Sequence, residues 1–129
     1  LPTVPTLPAE TIIVSFVATL QDSSNTLPSV LLTWETSLEV NTDGFFLYRQ
    51  DSNGNDLFIP LTGLFPSVGP QGGEYQYVDT AVQFGTEYSY LLVERKQDGT
   101  LIEYTDLIQV IIIGTSADPF GVWLPLIIK

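Results

Sequence analysis

The chain has 129 residues, 44% of them hydrophobic, and fifteen acidic side chains against four basic ones, for a net charge of −11. That length suits one domain with a single core, and the apolar share argues against disorder. The negative charge disfavours nucleic acid and anionic membrane surfaces as partners, because both are polyanions.

The first ten residues hold Pro2, Pro5 and Pro8 at a spacing of three, which predicts an extended, polyproline-like arm over 1–10. A chain that opens on Leu1 rather than Met is expected to follow removal of a signal peptide, which would put it outside the cytoplasm. Residues 11–20, TIIVSFVATL, read as the first strand. Period-two alternation puts Val14, Phe16, Ala18 and Leu20 on one face and Ile13, Ser15, Val17 and Thr19 on the other. A turn at 22–29 follows, and then a second strand with Val30, Leu32 and Trp34 sharing a face. A tryptophan early in a β-rich chain is expected at the centre of a core. Asn41 to Gly44 reads as a turn, and Phe45 to Arg49 resumes the strand pattern.

Asn53-Gly54 is a hairpin signal within 51–56. A calcium loop beginning at Asp51 fails on spacing: its sixth position is Asp56 rather than Gly, and its twelfth is Thr62 rather than Glu. Residues 56–62 form a short edge strand containing Pro60, and a Gly/Pro-rich loop without strand pattern follows. Further strands are expected at 74–82, at 86–97 with Tyr88, Tyr90 and Leu92 on one face, and at 100–113 as one long run after the Asp98-Gly99 hairpin. Seven short strands separated by turns predict an all-β antiparallel sandwich.

The segment from Leu32 and Trp34 through Glu39, Asn41, Gly44, Phe45, Tyr48 and Arg49, with Gly85 before Tyr88 in VQFGTEYSY, resembles the fibronectin type III-like modules of secreted bacterial surface proteins. The resemblance covers roughly residues 11–113. It implies an antiparallel, seven-stranded, Ig/fibronectin type III-like sandwich with extended N- and C-terminal arms, in which Tyr88 makes a corner contact. It also implies that the strands at 45–49, 88–93 and 110–113 belong to one sheet. Such sandwiches host many roles, so the resemblance speaks to fold more than to function. The expected organisation is an arm at 1–10, the sandwich at 11–113, and a linker with an apolar strand at 114–129. The ending, FGVWLPLIIK, is similar to the Trp/Tyr-Leu-Pro-Leu endings of some secreted bacterial surface proteins.

No enzyme is expected. The chain has no Cys and no His, which removes thiolate chemistry, Cys-based zinc and the usual general base. Ser and Thr are plentiful but lack an activating partner. Glu35, Glu39, Glu87, Glu94 and Glu103 read as solvated strand faces, and Lys96 as an exposed residue near a hairpin. No cofactor or metal is predicted. Tyr48, Tyr75, Tyr77 and Tyr104 are candidates for stacking on sugars, although tyrosines in a sandwich more often serve the core or cross-strand pairs.

The anomaly in the sequence is apolar residues on both faces of several strands. If Phe45 and Leu47 point inward, Phe46 and Tyr48 point out; if Tyr90 and Leu92 point inward, Leu91 and Val93 point out. An apolar outer face marks an interaction surface. The tail adds Phe120, Val122, Trp123, Leu124, Leu126, Ile127 and Ile128, of which each large side chain gains about 1.5–3 kcal/mol on full burial. The expectation is a secreted structural subunit that self-assembles head-to-tail with identical subunits through terminal strands, as an extracellular filament or surface layer. The other expectation is a non-catalytic binding or spacer module of a larger secreted enzyme or adhesin, with glycans as candidate ligands. Either role places the chain outside the cell or at its surface.

Overall fold

The computed structural model describes residues 10–21, 27–52, 54 and 56–114. Of the proline-rich arm expected at 1–10 and the linker with apolar strand expected at 114–129, all but Glu10 and Gly114 lie outside the described residues. Within them the chain forms two antiparallel sheets. One has three strands in the order β1 (Ile12–Gln21), β2 (Ser29–Leu38), β6 (Gly73–Asp79). The other is built on β3 (Thr42–Asp51) and β7 (Glu87–Lys96), in the order β4 (Ile59–Pro60), β3, β7, β8 (Leu101–Glu103). To this sheet β5 (Phe65–Pro66) adds on β3 and β9 (Gln109–Ile112) adds on β7.

The two sheets share one core. Phe16, Val30, Leu32, Trp34 and Tyr75 enter it from the first, and Phe45, Leu47, Tyr88, Tyr90 and Leu92 from the second. The arrangement is therefore sandwich-like, and β3, β7 and β9 lie in one sheet. Trp34 is 1% exposed. It stacks on Tyr75 at 5.2 Å and meets the edges of Phe65 at 5.2 Å and Phe45 at 6.3 Å. Aromatic contacts of this kind add about 0.5–1.5 kcal/mol each to the burial itself.

Alternation fails near the start of β1, where the register with β2 shifts between Ile12 and Ile13 and again between Ile13 and Ser15. Ile13 stands opposite Thr36 and Ser15 opposite Glu35, so Val14 is an extra residue, a β-bulge. The bulge turns Ile13 onto the core face beside Phe16, Ala18 and Leu20 and leaves Val14 54% exposed. The expected pairing of Val14 with Phe16 is corrected accordingly.

The turn expected at 41–44 sits earlier. Asn41 takes φ 50°, and β3 begins at Thr42. Gly44 serves a close approach instead: a Cβ there would stand 2.3 Å from the backbone oxygen of Phe65. That clearance lets β5 pair with β3, forming a strand in the loop where none was expected.

The long strand expected at 100–113 is broken. Tyr104 donates its N–H to the Leu92 carbonyl at 3.0 Å, and pairing resumes with Gln109 opposite Tyr90. Four residues, 105–108, thus stand where a regular ladder holds one. They fold into a 3-10 turn at Thr105–Leu107, and Leu107 packs on the core. The Asp98-Gly99 hairpin is present, with Gly99 at φ 90° and the Lys96 N–H bonded to the Thr100 carbonyl at 2.8 Å. Tyr88, 1% exposed, reaches back so that its hydroxyl accepts the Gln83 N–H at 2.8 Å. This is the expected corner geometry.

Replacing Gly44 with Ala should cost about 1–3 kcal/mol, the usual cost of overpacking, read as a lower urea midpoint. Ala at Gly63, whose Cβ would meet nothing within 4 Å, should leave the midpoint nearly unchanged.

Candidate functional site

The predicted outer surface of the larger sheet is only partly open. β7 is flanked by β3 on one edge and by β8 and β9 on the other. Phe46 stands directly across from Val93, and Tyr48 from Leu91. Leu91 and Val93 are 2% and 1% exposed, so the expectation that they form a bare patch is corrected. A central strand has large neighbours on both sides, and these wall in its outward side chains. Phe46 and Tyr48 are half-buried, and the Arg95 guanidinium lies 5.5 Å from the Phe46 ring centroid. Arg95 also pairs with Asp43. The large apolar side chains exposed on the strands of this sheet are at its margins: Ile59, Leu101, Val110 and Ile112. The tail residues Phe120, Val122, Trp123, Leu124, Leu126, Ile127 and Ile128 lie outside the described residues.

Among the described residues three carboxylates are buried. Glu94, read from sequence as part of a solvated face, is fully buried. It faces inward opposite Phe45, in step with Leu92 and Tyr90. The hydroxyls of Thr42 (2.6 Å) and Thr11 (2.7 Å) donate to one carboxylate oxygen, and the Tyr104 hydroxyl (2.6 Å) donates to the other. The Lys96 ammonium lies 3.0 Å from the first oxygen. Lys96 also reaches Thr11 and the Val40 carbonyl, so it turns inward rather than into solvent. Burial alone would raise the Glu94 carboxyl. The hydroxyls of Thr42, Tyr104 and Thr11, with the Lys96 ammonium, outweigh that and hold it below the usual carboxylate range. Burial, and then the bond to Glu94, push the Tyr104 phenol upward.

Glu39, also read as solvated, is 3% exposed. It accepts from Thr36 at 2.7 Å, from Tyr75 at 2.6 Å and from Ser67. Its own N–H donates to the Pro70 carbonyl at 3.0 Å, so it anchors the 67–72 loop to the end of β2. Asp79 is 1% exposed and pairs with Arg49 at 2.8 Å. It also accepts from the Tyr90 hydroxyl at 2.8 Å and the Ala81 N–H at 3.0 Å. Arg49 lies 5.0 Å from the Tyr88 ring centroid. Glu87 and Glu103 are exposed and Glu35 is half-buried, close to expectation.

A cavity of about 770 Å³ opens beside Glu94, lined by Glu10, Thr11, Asn41, Lys96, Asp98 and Tyr104 among others. The buried polar groups in its floor bond to one another. The three protons of the Lys96 ammonium match its three acceptors, and both oxygens of Glu94 are occupied. This arrangement ties the lead-in at Thr11 to β3 and β7. Among the described residues there is no cluster of three or more potential metal ligands, and no helix is long and apolar enough to cross a membrane. Comparisons with models of known protein families, with curated proteins and with solved structures find no match to this chain. Tyr75, Tyr90 and Tyr104, each bonded to a buried acid, were the residues that sequence could have paired with Glu39, Asp79 and Glu94. The signal needed was their inward register.

Because the folded Glu94 carboxyl sits below its unfolded value near 4.5, its contribution is fully present above that pH and is lost as pH falls through the folded value. Urea midpoints should therefore drop as pH falls below about 4.5, and Glu94→Gln should flatten that dependence. Asp79→Ala should cost about 3–5 kcal/mol at neutral pH, since it strands the Arg49 charge and the Tyr90 hydroxyl.

Proposed function

We propose that this chain is a non-catalytic structural module of an extracellular protein, fibronectin type III-like in design, that carries the polypeptide from one end of a stable β-body to the other. The observation that carries this reading is where the chain enters and leaves. Thr11 bonds to Thr42 and Glu94, beside the end of β7. Gly114 lies at the other end, where its carbonyl and that of Ile113 accept the Gly85 N–H just before β7 begins. The ten residues of β7 separate these points by about 33 Å. A unit entered at one end and left at the other suits end-to-end arrays.

The strand orders β1-β2-β6 and β4-β3-β7-β8, the central Trp34 and the Tyr88 corner support the fibronectin type III-like reading. The absence of His and Cys from the sequence, together with the mutual satisfaction of the buried acids, supports a structural role over catalysis.

An array can be covalent, with the module as a spacer or binding unit of a larger secreted protein, or non-covalent, through head-to-tail strand addition into a filament or layer. The burial of Leu91 and Val93 closes the centre of the face that self-assembly would have used and favours the spacer. The exposure of Val110 and Ile112 at the margin of that sheet keeps the filament as the second reading. Sedimentation across a hundredfold range of concentration separates them. The spacer reading expects a monomer of 14.2 kDa throughout. Mass that grows with concentration, with fibres in the electron microscope, overturns it in favour of the filament. A glycan array then distinguishes a binding unit from a plain spacer.

A further inference from the structure

Thr11 is the last residue before β1, and its hydroxyl is used to capacity. It donates to Glu94 Oε2 at 2.7 Å and accepts from the Val40 N–H at 3.0 Å and from the Lys96 ammonium at 3.2 Å. That fills its one donor and two acceptor sites. The sheet holds the neighbouring residues less well. Ile12 is opposite Leu38 and Ile13 opposite Thr36, with a register shift on each side of Ile13. The regular ladder with β2 begins only at Ser15, opposite Glu35. Ile12 and Val14 are more than half exposed, and Glu10 is exposed. Ile13 is the one apolar side chain among them that packs on the core. Residues 10–13 are therefore joined to the body by a bulge, where the ladder is locally disrupted, and by the cluster around the Thr11 hydroxyl.

The geometry points to a hinged clasp: residues 10–13 swing on the bulge at Val14, are held closed by the Glu94 carboxylate through the Thr11 hydroxyl, and are released in acid while the two sheets stay together. Both oxygens of Glu94 already accept, one from Thr11, Thr42 and Lys96 and the other from Tyr104. A proton added to either oxygen meets a donor head-on, and the Lys96 ammonium loses its counter-charge. The folded carboxyl sits below the ordinary carboxylate value. The clasp is therefore closed above that value and opens as pH falls through the folded one. The other ionisable groups nearby act from further off. Glu10 on the strap and Asp98 in the β7–β8 hairpin line the cavity beside it, and Asp106 in the 3-10 turn acts on Tyr104. None of these three is a partner of the Thr11 hydroxyl. Glu39, at the end of β2, faces Thr36, Tyr75 and Ser67 instead. On β3, Asp43 pairs with Arg95, and β1 itself carries no ionisable side chain. In an end-to-end array, a consequence that rests on the reading above, the closed clasp fixes the angle at which the chain enters the module, and acid frees it.

The test is NMR on the full chain, with backbone order read from heteronuclear NOEs and opening from amide exchange corrected for the intrinsic effect of pH. From neutral pH to about pH 3, residues 11–13 should lose order. The Val40 amide, bonded to Thr11, should lose roughly tenfold in protection, the size expected for one hydrogen bond. Residues 16–20 should stay ordered, and the amides of Leu61 and Ile113, bonded to the Leu47 and Thr86 carbonyls, should stay protected. Glu94→Gln should leave residues 11–13 disordered at neutral pH and remove their response to acid. Thr11→Val, which alters only the strap, should do the same, and it decides the matter if Glu94→Gln does not fold. Order at 11–13 that persists to about pH 3 overturns the proposal, as does protection lost from every amide together. An unchanged acid response in either variant also overturns it and assigns the response to Glu10, Asp98 or Asp106. These readings concern motion within one molecule, so the sedimentation result stands separately from all of them.

Discussion

The structure depends on Trp34 being buried between two sheets. Its ring stacks on Tyr75 from the neighbouring strand and meets Phe45 and Phe65 from the opposite sheet. One side chain thus joins strands that are far apart in sequence, and its large area supplies the apolar burial that a small sandwich needs. The indole N–H finds no hydrogen-bond partner among the described residues. Leaving such a group unpaired costs about 1–3 kcal/mol, which the aromatic packing around it offsets.

The ends of the sandwich are held differently. Glu94, Asp79 and Glu39 each draw together segments that the sheets alone leave loose: the lead-in at Thr11, the chain after β6 at Ala81, and the loop at Ser67. A buried carboxylate is costly unless hydroxyls, amides or a cation satisfy it. Here hydroxyls do most of that, four of them from Thr and Ser and three from Tyr. Such a device needs no His or Cys, and it occupies the three carboxylates that it buries.

Edges complete the picture. Pro60 limits β4, the 105–108 pucker splits β8 from β9, and a bulge bends the start of β1. Each blunts a potential pairing surface. The outer strands of the three-stranded sheet, β1 and β6, each pair with β2 alone among the described residues.

Much of this was legible in the sequence. Period-two runs located the main strands, and the Leu32-Trp34 pattern predicted the core. The strand and core readings depend on neighbours a few residues away, whereas the contact of Tyr88 with the Gln83 N–H was expected only through the resemblance carried by VQFGTEYSY. What tertiary structure decided were contacts between distant segments. Nothing local marks Gly44 as a passage for β5 rather than a turn, since the clash it avoids involves Phe65. Glu39 and Glu94 look like surface acids until Thr11, Ser67, Tyr75 and Tyr104 are folded over them. Leu91 and Val93 look outward-facing by alternation alone, yet they are enclosed once β7 has strands on both sides. The sequence by itself located the main strands and showed the lack of His and Cys, because periodicity and composition are local properties. The burial of each charge, the closing of each edge and the direction in which the chain leaves the domain were decided only when the two sheets met, because burial is a property of pairs of surfaces.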